Sequence, residues 1–100
     1  MPLSTALKKQ YRSLGHKLNP IVTVAGNGLS EGVQDELNRA LEDHELIKIK
    51  LAVLDRDLRK QLVQEICTSC RCESIQEIGK VALLFREAKK PNVRLSNLPR

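Results

Sequence analysis

Aromatic residues are almost absent from this chain of 100 residues: Tyr11 and Phe85 are the only two, and there is no tryptophan. A core without rings must be aliphatic, built from Leu, Ile and Val. The scarcity also bears on ligands, because modules that read unpaired bases stack them on aromatic side chains. No apolar run approaches the roughly 20 residues that cross a bilayer, and the N-terminus has no signal-peptide apolar region. The expectation is a soluble, unexported, cytoplasmic protein without membrane contact. Acids are missing from both ends: none precedes Glu31 and none follows Glu87. Cysteine is limited to Cys67, Cys70 and Cys72. An odd, clustered set in an unexported chain does not make a disulfide framework.

What is present describes one small domain. The apolar share of 41% is ordinary for a globular chain, and this length buries roughly two thirds of its unfolded surface, enough for one core. Net charge is +5 and unevenly spread. Lys8, Lys9, Arg12 and Lys17 lie before the first acid, and Lys89, Lys90, Arg94 and Arg100 after the last. Such a balance favours polyanionic partners, nucleic acid or an acidic protein surface, and carries no information about fold.

Hydrophobic periodicity sets the elements. Leu3, Leu7, Tyr11, Leu14 and Leu18 recur at helical spacing over residues 3 to 18, with Lys8, Arg12 and His16 on the opposite side and Lys9 at its edge. Asn19-Pro20 ends that helix, since the residue before proline avoids the helical region. Ile21 to Val24 reads as a strand and Ala25 to Gly28 as a turn. Ser30 is a good N-cap for a helix burying Val33, Leu37, Ala40 and Leu41 and exposing an acidic flank. In "LIKIKLAVL", residues 46 to 54, Ile47, Ile49, Leu51 and Val53 share one strand face, Lys48 and Lys50 the other. A third helix near residues 57 to 69 turns Leu58, Leu62, Val63 and Ile66 inward, and Gly79-Lys80 joins two last strands as a hairpin. The predicted order αβαβαββ is a single α+β domain over residues 1–87. It has a four-stranded mixed sheet with packed helices, two right-handed parallel crossovers and an antiparallel hairpin. Residues 88–100 read as an exposed, basic, partly mobile tail.

Three constellations carry chemistry. The turn Ala25-Gly26-Asn27-Gly28 lies between a strand and a helix, where bare backbone can approach a phosphate; it reads equally as a tight turn accepting positive φ. It is neither a P-loop nor a dinucleotide fingerprint. The basic ridge of the first helix, with Lys48 and Lys50, suggests a surface contacting several phosphates; its alternative is a solvated face. Cys67, Cys70 and Cys72 offer zinc ligands or a redox pair, or else are buried thiols. His16 and His44 are the only histidines, and no catalytic triad or paired carboxylates stand out. No enzyme, cofactor or metal site is expected.

Taken together, "NPIVTVAGNGLSEGV", "LEDHELIKIKL", "IGKVALLFR" and the closing "LPR" resemble the YhbY family of small bacterial proteins, over essentially the whole chain. These are stand-alone CRM domains, named for chloroplast RNA splicing and ribosome maturation. The resemblance implies an RNA-binding fold similar to the C-terminal domain of a bacterial translation initiation factor, and association with precursors of the large ribosomal subunit. The family's turn resembles the Gly-x-x-Gly loop of KH domains, commonly Gly-Lys-x-Gly. Here the first glycine is Ala25 and the usual lysine is Gly26, while Gly28 is kept. The loop thus lacks the cation, and backbone N–H groups, Lys17 or Lys48 must contribute more.

The expectation is a monomer that binds structured ribosomal RNA during large-subunit assembly. Lys8, Lys9, Arg12 and Lys17 act from the first helix, Ala25, Gly26, Asn27 and Gly28 from the loop, Lys48 and Lys50 from the strand, and Lys89, Lys90 and Arg94 from the tail. Recognition is of phosphate and shape. The alternatives are an adapter whose basic surface meets an acidic protein and a small metal or thiol-redox protein using the cysteines.

Overall fold

The computed structural model describes residues 3–25 and 28–98. Seven elements follow in the expected order: α1 (Thr5–Gly15), β1 (Pro20–Ala25), α2 (Glu31–His44), β2 (Leu46–Ala52), α3 (Arg56–Cys70), β3 (Glu73–Ile78) and β4 (Val81–Phe85). Among the described residues no helix is long and apolar enough to cross a membrane.

Each helix starts on a polar cap. Ser4 Oγ accepts from Leu7 N–H, Ser30 Oγ from Val33 N–H, and Asp55 Oδ1 from both Asp57 and Leu58 N–H. Each bond satisfies a donor that the first helical turn leaves without a partner. The third helix ends on Arg71, whose left-handed backbone (φ 54°, ψ 48°) lets Cys72 N–H reach back to Cys67 O at 3.1 Å.

The strands lie in the order β1-β2-β4-β3. β1 runs parallel to β2, and β4 is antiparallel to both β2 and β3. The hairpin therefore folds its second strand into the middle of the sheet, between the strands that α3 connects. α2 and α3 cover one face, over Val22, Val24, Ile47, Ile49, Leu51, Ala82 and Leu84. α1 alone packs on the other, where Tyr11 meets Leu46, Ile75 and Leu83.

Three expectations are corrected. The first helix is shorter than its apolar stripe: Leu3 and Leu18 pack against the α1-side cluster from outside the helix, while Leu7 is 39% exposed. Leu58, expected inward, is 53% exposed, because the first turn of α3 faces a shallow cleft shared with Gly28 and Val53. Residues 88–98 are docked rather than free. Ala88 is buried and its N–H donates to Glu45 Oε2 at 2.9 Å; Ser96 Oγ donates to Glu45 Oε1 at 2.8 Å. Asn97 Nδ2 donates to Leu46 O at 2.7 Å, and Leu98 joins the cluster under α1. Small polar side chains and one leucine tie this segment down, which is why no periodicity announced it.

Candidate nucleic-acid interface

The sheet register explains how the α1 side is built. Reading across the strands, Pro20, Lys48, Leu83 and Gln76 form one row on this face, and Thr23, Lys50, Val81 and Ile78 form the next. α1 lies over the preceding part, and Gly15 sits so close to the sheet that an added Cβ would stand 2.5 Å from Leu83 Cδ2. Apart from Leu83, which Gly15 covers, the two rows have no helix above them. A bulge between Ser74 and Gln76 gives β3 one extra residue against β4. Through it the successive residues Ile75 and Gln76 both serve the α1 side, Ile75 in the core and Gln76 beside the open rows.

The predicted basic residues are arranged along this face. Lys8 and Arg12 are half-buried on α1, Lys9 is exposed, and Lys17 is exposed in the turn after it. Lys48 is half-buried and Lys50 exposed. None of these six side chains forms an ion pair with a described residue; the Arg86–Glu42 pair, at 3.7 Å, involves other groups. Arg86 is structural, its guanidinium donating to Asn38 Oδ1, Asn38 O and Cys70 O at 2.7–2.8 Å and pinning β4 to both helices of the other face.

The loop lies at the far end of the sheet from the α1 ridge, about 16 Å away along β1 at strand rise. Ala25 ends β1, exposed, opposite Ala52. Gly28 N–H donates to Ala25 O at 3.0 Å, and Gly28 has φ 85°. A Cβ there would meet nothing within 4 Å, so glycine answers a conformational need and not a lack of room. Gly26 and Asn27, expected to offer backbone to a phosphate, lie outside the described residues. Of the described loop residues, Ala25 stands at the opposite end of β1 from the ridge, with Lys48 and Lys50 on the neighbouring strand between them.

Lys89, Lys90 and Arg94 are exposed on the docked segment. Lys89 N–H donates to Glu42 Oε1 at 3.2 Å, and Arg94 N–H to Asn92 Oδ1 at 3.0 Å. This segment meets the interface at its α1 end, where Asn97 shares a cleft with Lys17, Ile21 and Lys48.

The two aromatic rings face each other, with centroids 5.0 Å apart and planes at 35°, and Tyr11 is buried. His44, in the last turn of α2, donates through Nδ1 to Leu95 O at 2.8 Å across the docked segment. The cysteines gather at the C-terminus of α3. The Cys72 thiol donates to Ile66 O at 4.0 Å, and its polar interaction with Cys67 holds the Cys67 thiol below its ordinary value against the opposing effect of burial. That interaction and burial push Cys72 well up, and burial raises Cys70. Among the described residues no three His, Cys, Asp or Glu side chains come together as a metal site.

Sequence reasoning missed Glu45, Arg86 and Asn97, which hold the docked segment and the sheet together, and the cavity beside Gln76. The polar run "RLSNL" was the available signal for a docked segment: serine and asparagine between leucines bond backbone as readily as they solvate.

A single domain of element order αβαβαββ around a four-stranded mixed sheet is a CRM-type fold. The description of the CRS1 / YhbY (CRM) domain matches residues 3–86, and the chain belongs to this family. It is 53% identical over 100 residues to a Pseudomonas aeruginosa protein named as a probable RNA-binding protein, spanning 100% of this chain and 96% of the relative. A Haemophilus influenzae protein named RNA-binding protein is 39% identical over 93 residues, spanning 93% of this chain and 94% of the relative. The solution structure of a hypothetical Staphylococcus aureus protein, described there as an RNA-binding candidate, superposes with a TM-score of 0.78. Its identity is 30%, over 89% of this chain and 93% of that one.

Proposed function

We propose that this chain binds structured RNA of the large ribosomal subunit or its precursor, as a cytoplasmic monomer that holds RNA without catalysing a reaction on it. Lys8, Lys9, Arg12 and Lys17 form one end of the contact surface, Lys48 and Lys50 its middle, and the loop from Ala25 to Gly28 its far end. Lys89, Lys90 and Arg94 clamp neighbouring phosphates. The observation carrying this reading is that cations along one face have no anionic partner among the described residues. A surface that only aids solubility interleaves both signs. The names of the relatives support RNA as the polyanion. With both rings packed on each other, phosphate and shape dominate recognition.

A salt-series titration of a folded large-subunit ribosomal RNA fragment tests this. The double variant Lys8→Ala/Arg12→Ala should flatten the log–log salt slope, by up to about one unit per lost phosphate contact. Gly28→Asp should weaken binding through strained backbone and a misplaced negative charge. If neither changes binding, the basic face serves solvation or an acidic protein.

A further inference from the structure

The open part of the sheet is not flat. Between the C-terminal turn of α1, the chain leading into β1, and the row Pro20–Lys48–Leu83–Gln76 lies a cavity of about 380 Å³. Its volume is within the range of small-ligand sites, about 300–1,000 Å³. Leu18, Pro20, Ile78, Val81 and Leu83 give it an apolar lining. Four polar side chains complete it: His16 and Asn19 from the α1–β1 connection, Lys48 from β2 and Gln76 from β3. None of the four makes a side-chain hydrogen bond or ion pair with a described residue, and no acid lines the site. Ile78 at its edge is 60% exposed, an unusual exposure for isoleucine.

We propose that this cavity seats one unpaired nucleotide of the bound RNA, its base against the aliphatic lining and its edge read by Gln76 and Asn19. The chemistry fits each part. A nucleobase has two apolar faces and a polar rim, and the cavity offers aliphatic surface with amides at its margin. Amides pair with base edges because each carries both a donor and an acceptor. Lys48 stands within the site, Lys50 follows on the same strand face, and Lys17 borders the neighbouring cleft, so phosphates flanking the nucleotide meet cations on both sides. A lipid tail or an aliphatic peptide side chain would use the apolar lining and leave the amides idle. The proposal rests on the RNA-binding reading and deepens it: a fold without free aromatic rings still selects one splayed-out base, by enclosure and not by stacking on a ring. The β3 bulge is the feature that makes it possible, because without the extra residue Gln76 would fall on the helix-covered side.

The test uses a large-subunit ribosomal RNA transcript carrying sparse 4-thiouridine, irradiated with the full chain, digested with ribonuclease and mapped by peptide mass. Cross-linked nucleotide on the segments 16–20 or 76–83 is expected. With unmodified transcript, Gln76→Leu and Ile78→Ser should each weaken binding on the order of fivefold to tenfold, with the salt slope unchanged because no phosphate contact is lost. Both positions are at least partly exposed, so the variants fold. Cross-links confined to α1 and the loop overturn the inference whatever the variants do, and leave RNA binding standing. Wild-type affinity in both variants overturns it as well. Failure of the wild type to bind the transcript overturns the RNA reading, and this inference with it.

Discussion

Glu45 occupies the single position between α2 and β2, with φ 63° and a fully buried carboxylate. A non-glycine residue in so sparsely populated a backbone region costs about 1–3 kcal/mol, and burying a carboxylate adds to that. The offset is visible: one oxygen accepts from Ala88 N–H, the other from Ser96 Oγ, and the backbone carbonyl accepts from Arg86 N–H at 2.9 Å. Glu45→Ala removes the carboxylate and orphans donors in the docked segment, so unfolding in urea should show a loss of about 2–4 kcal/mol. Beyond Arg86, whose backbone N–H bonds Glu45 O and whose guanidinium bonds Cys70 O, the cysteines differ in reactivity. Cys67 is half-buried and its thiolate is stabilised by the Cys72 thiol, while burial and that same interaction hold Cys70 and Cys72 protonated. In the native protein, iodoacetamide should label Cys67 first. Its rate should rise with pH to a midpoint below the ordinary 9.0, with Cys70 and Cys72 reacting only on unfolding. Peptide mass mapping across a pH series checks both statements.

Among elements, those with a strong repeat were legible from residues alone. The alternation Ile47, Lys48, Ile49, Lys50, Leu51 gave β2 and both of its faces, and Gly79-Lys80 marked the hairpin whose glycine has φ 56°. Ser30 announced its helix as a cap. The failures have a common cause, which is that periodicity reports a local repeat and not what lies opposite. Leu7 keeps helical spacing yet stays partly exposed, and Leu58 lines an open cleft beside Gly28 and Val53. The bulge at Ile75 was invisible, because "ESIQEI" alternates no differently with or without an extra residue. The basic candidates were legible as residues, but their separation into a ridge, open rows and a distant loop was not, since it depends on sheet register. For the docked segment, a chain ending at Glu87 should lose the Ala88, Ser96 and Asn97 bonds together and leave Glu45 without those partners. Its thermal midpoint should fall by several degrees relative to the full chain, at roughly 4–8 °C per kcal/mol for a domain of this size.

For the molecule as a whole, one helix-covered face and one largely open face divide the work between them. The α2/α3 side holds the larger core cluster, and the α1 side a small one ending at the open rows. Stability is correspondingly uneven. β2 and β4 are the interior strands, each paired on both sides, whereas β1 and β3 are edges. Amide exchange should be slowest in Ile47, Ile49, Leu83 and Leu84, and faster along β1 and β3, as residue-resolved exchange would show. The cavity proposed as a nucleotide site lies against β2 and β4, the best-protected part of the sheet.

The position of β4 has a further consequence for how the protein is made. It is the last strand in the chain but the third across the sheet, and it closes the gap between β2 and β3. A ribosome delivers residues from the N-terminus, so every nascent chain passes through a stage with α1, β1, α2, β2 and α3 present and one edge of β2 unpaired. Such an edge is a template for pairing with another chain. It persists until residues 81–85 emerge, and Glu45 gains its Ala88 and Ser96 partners only later still. The fold therefore closes late, from the inside, and a chain stalled before Val81 is the species most exposed to aggregation.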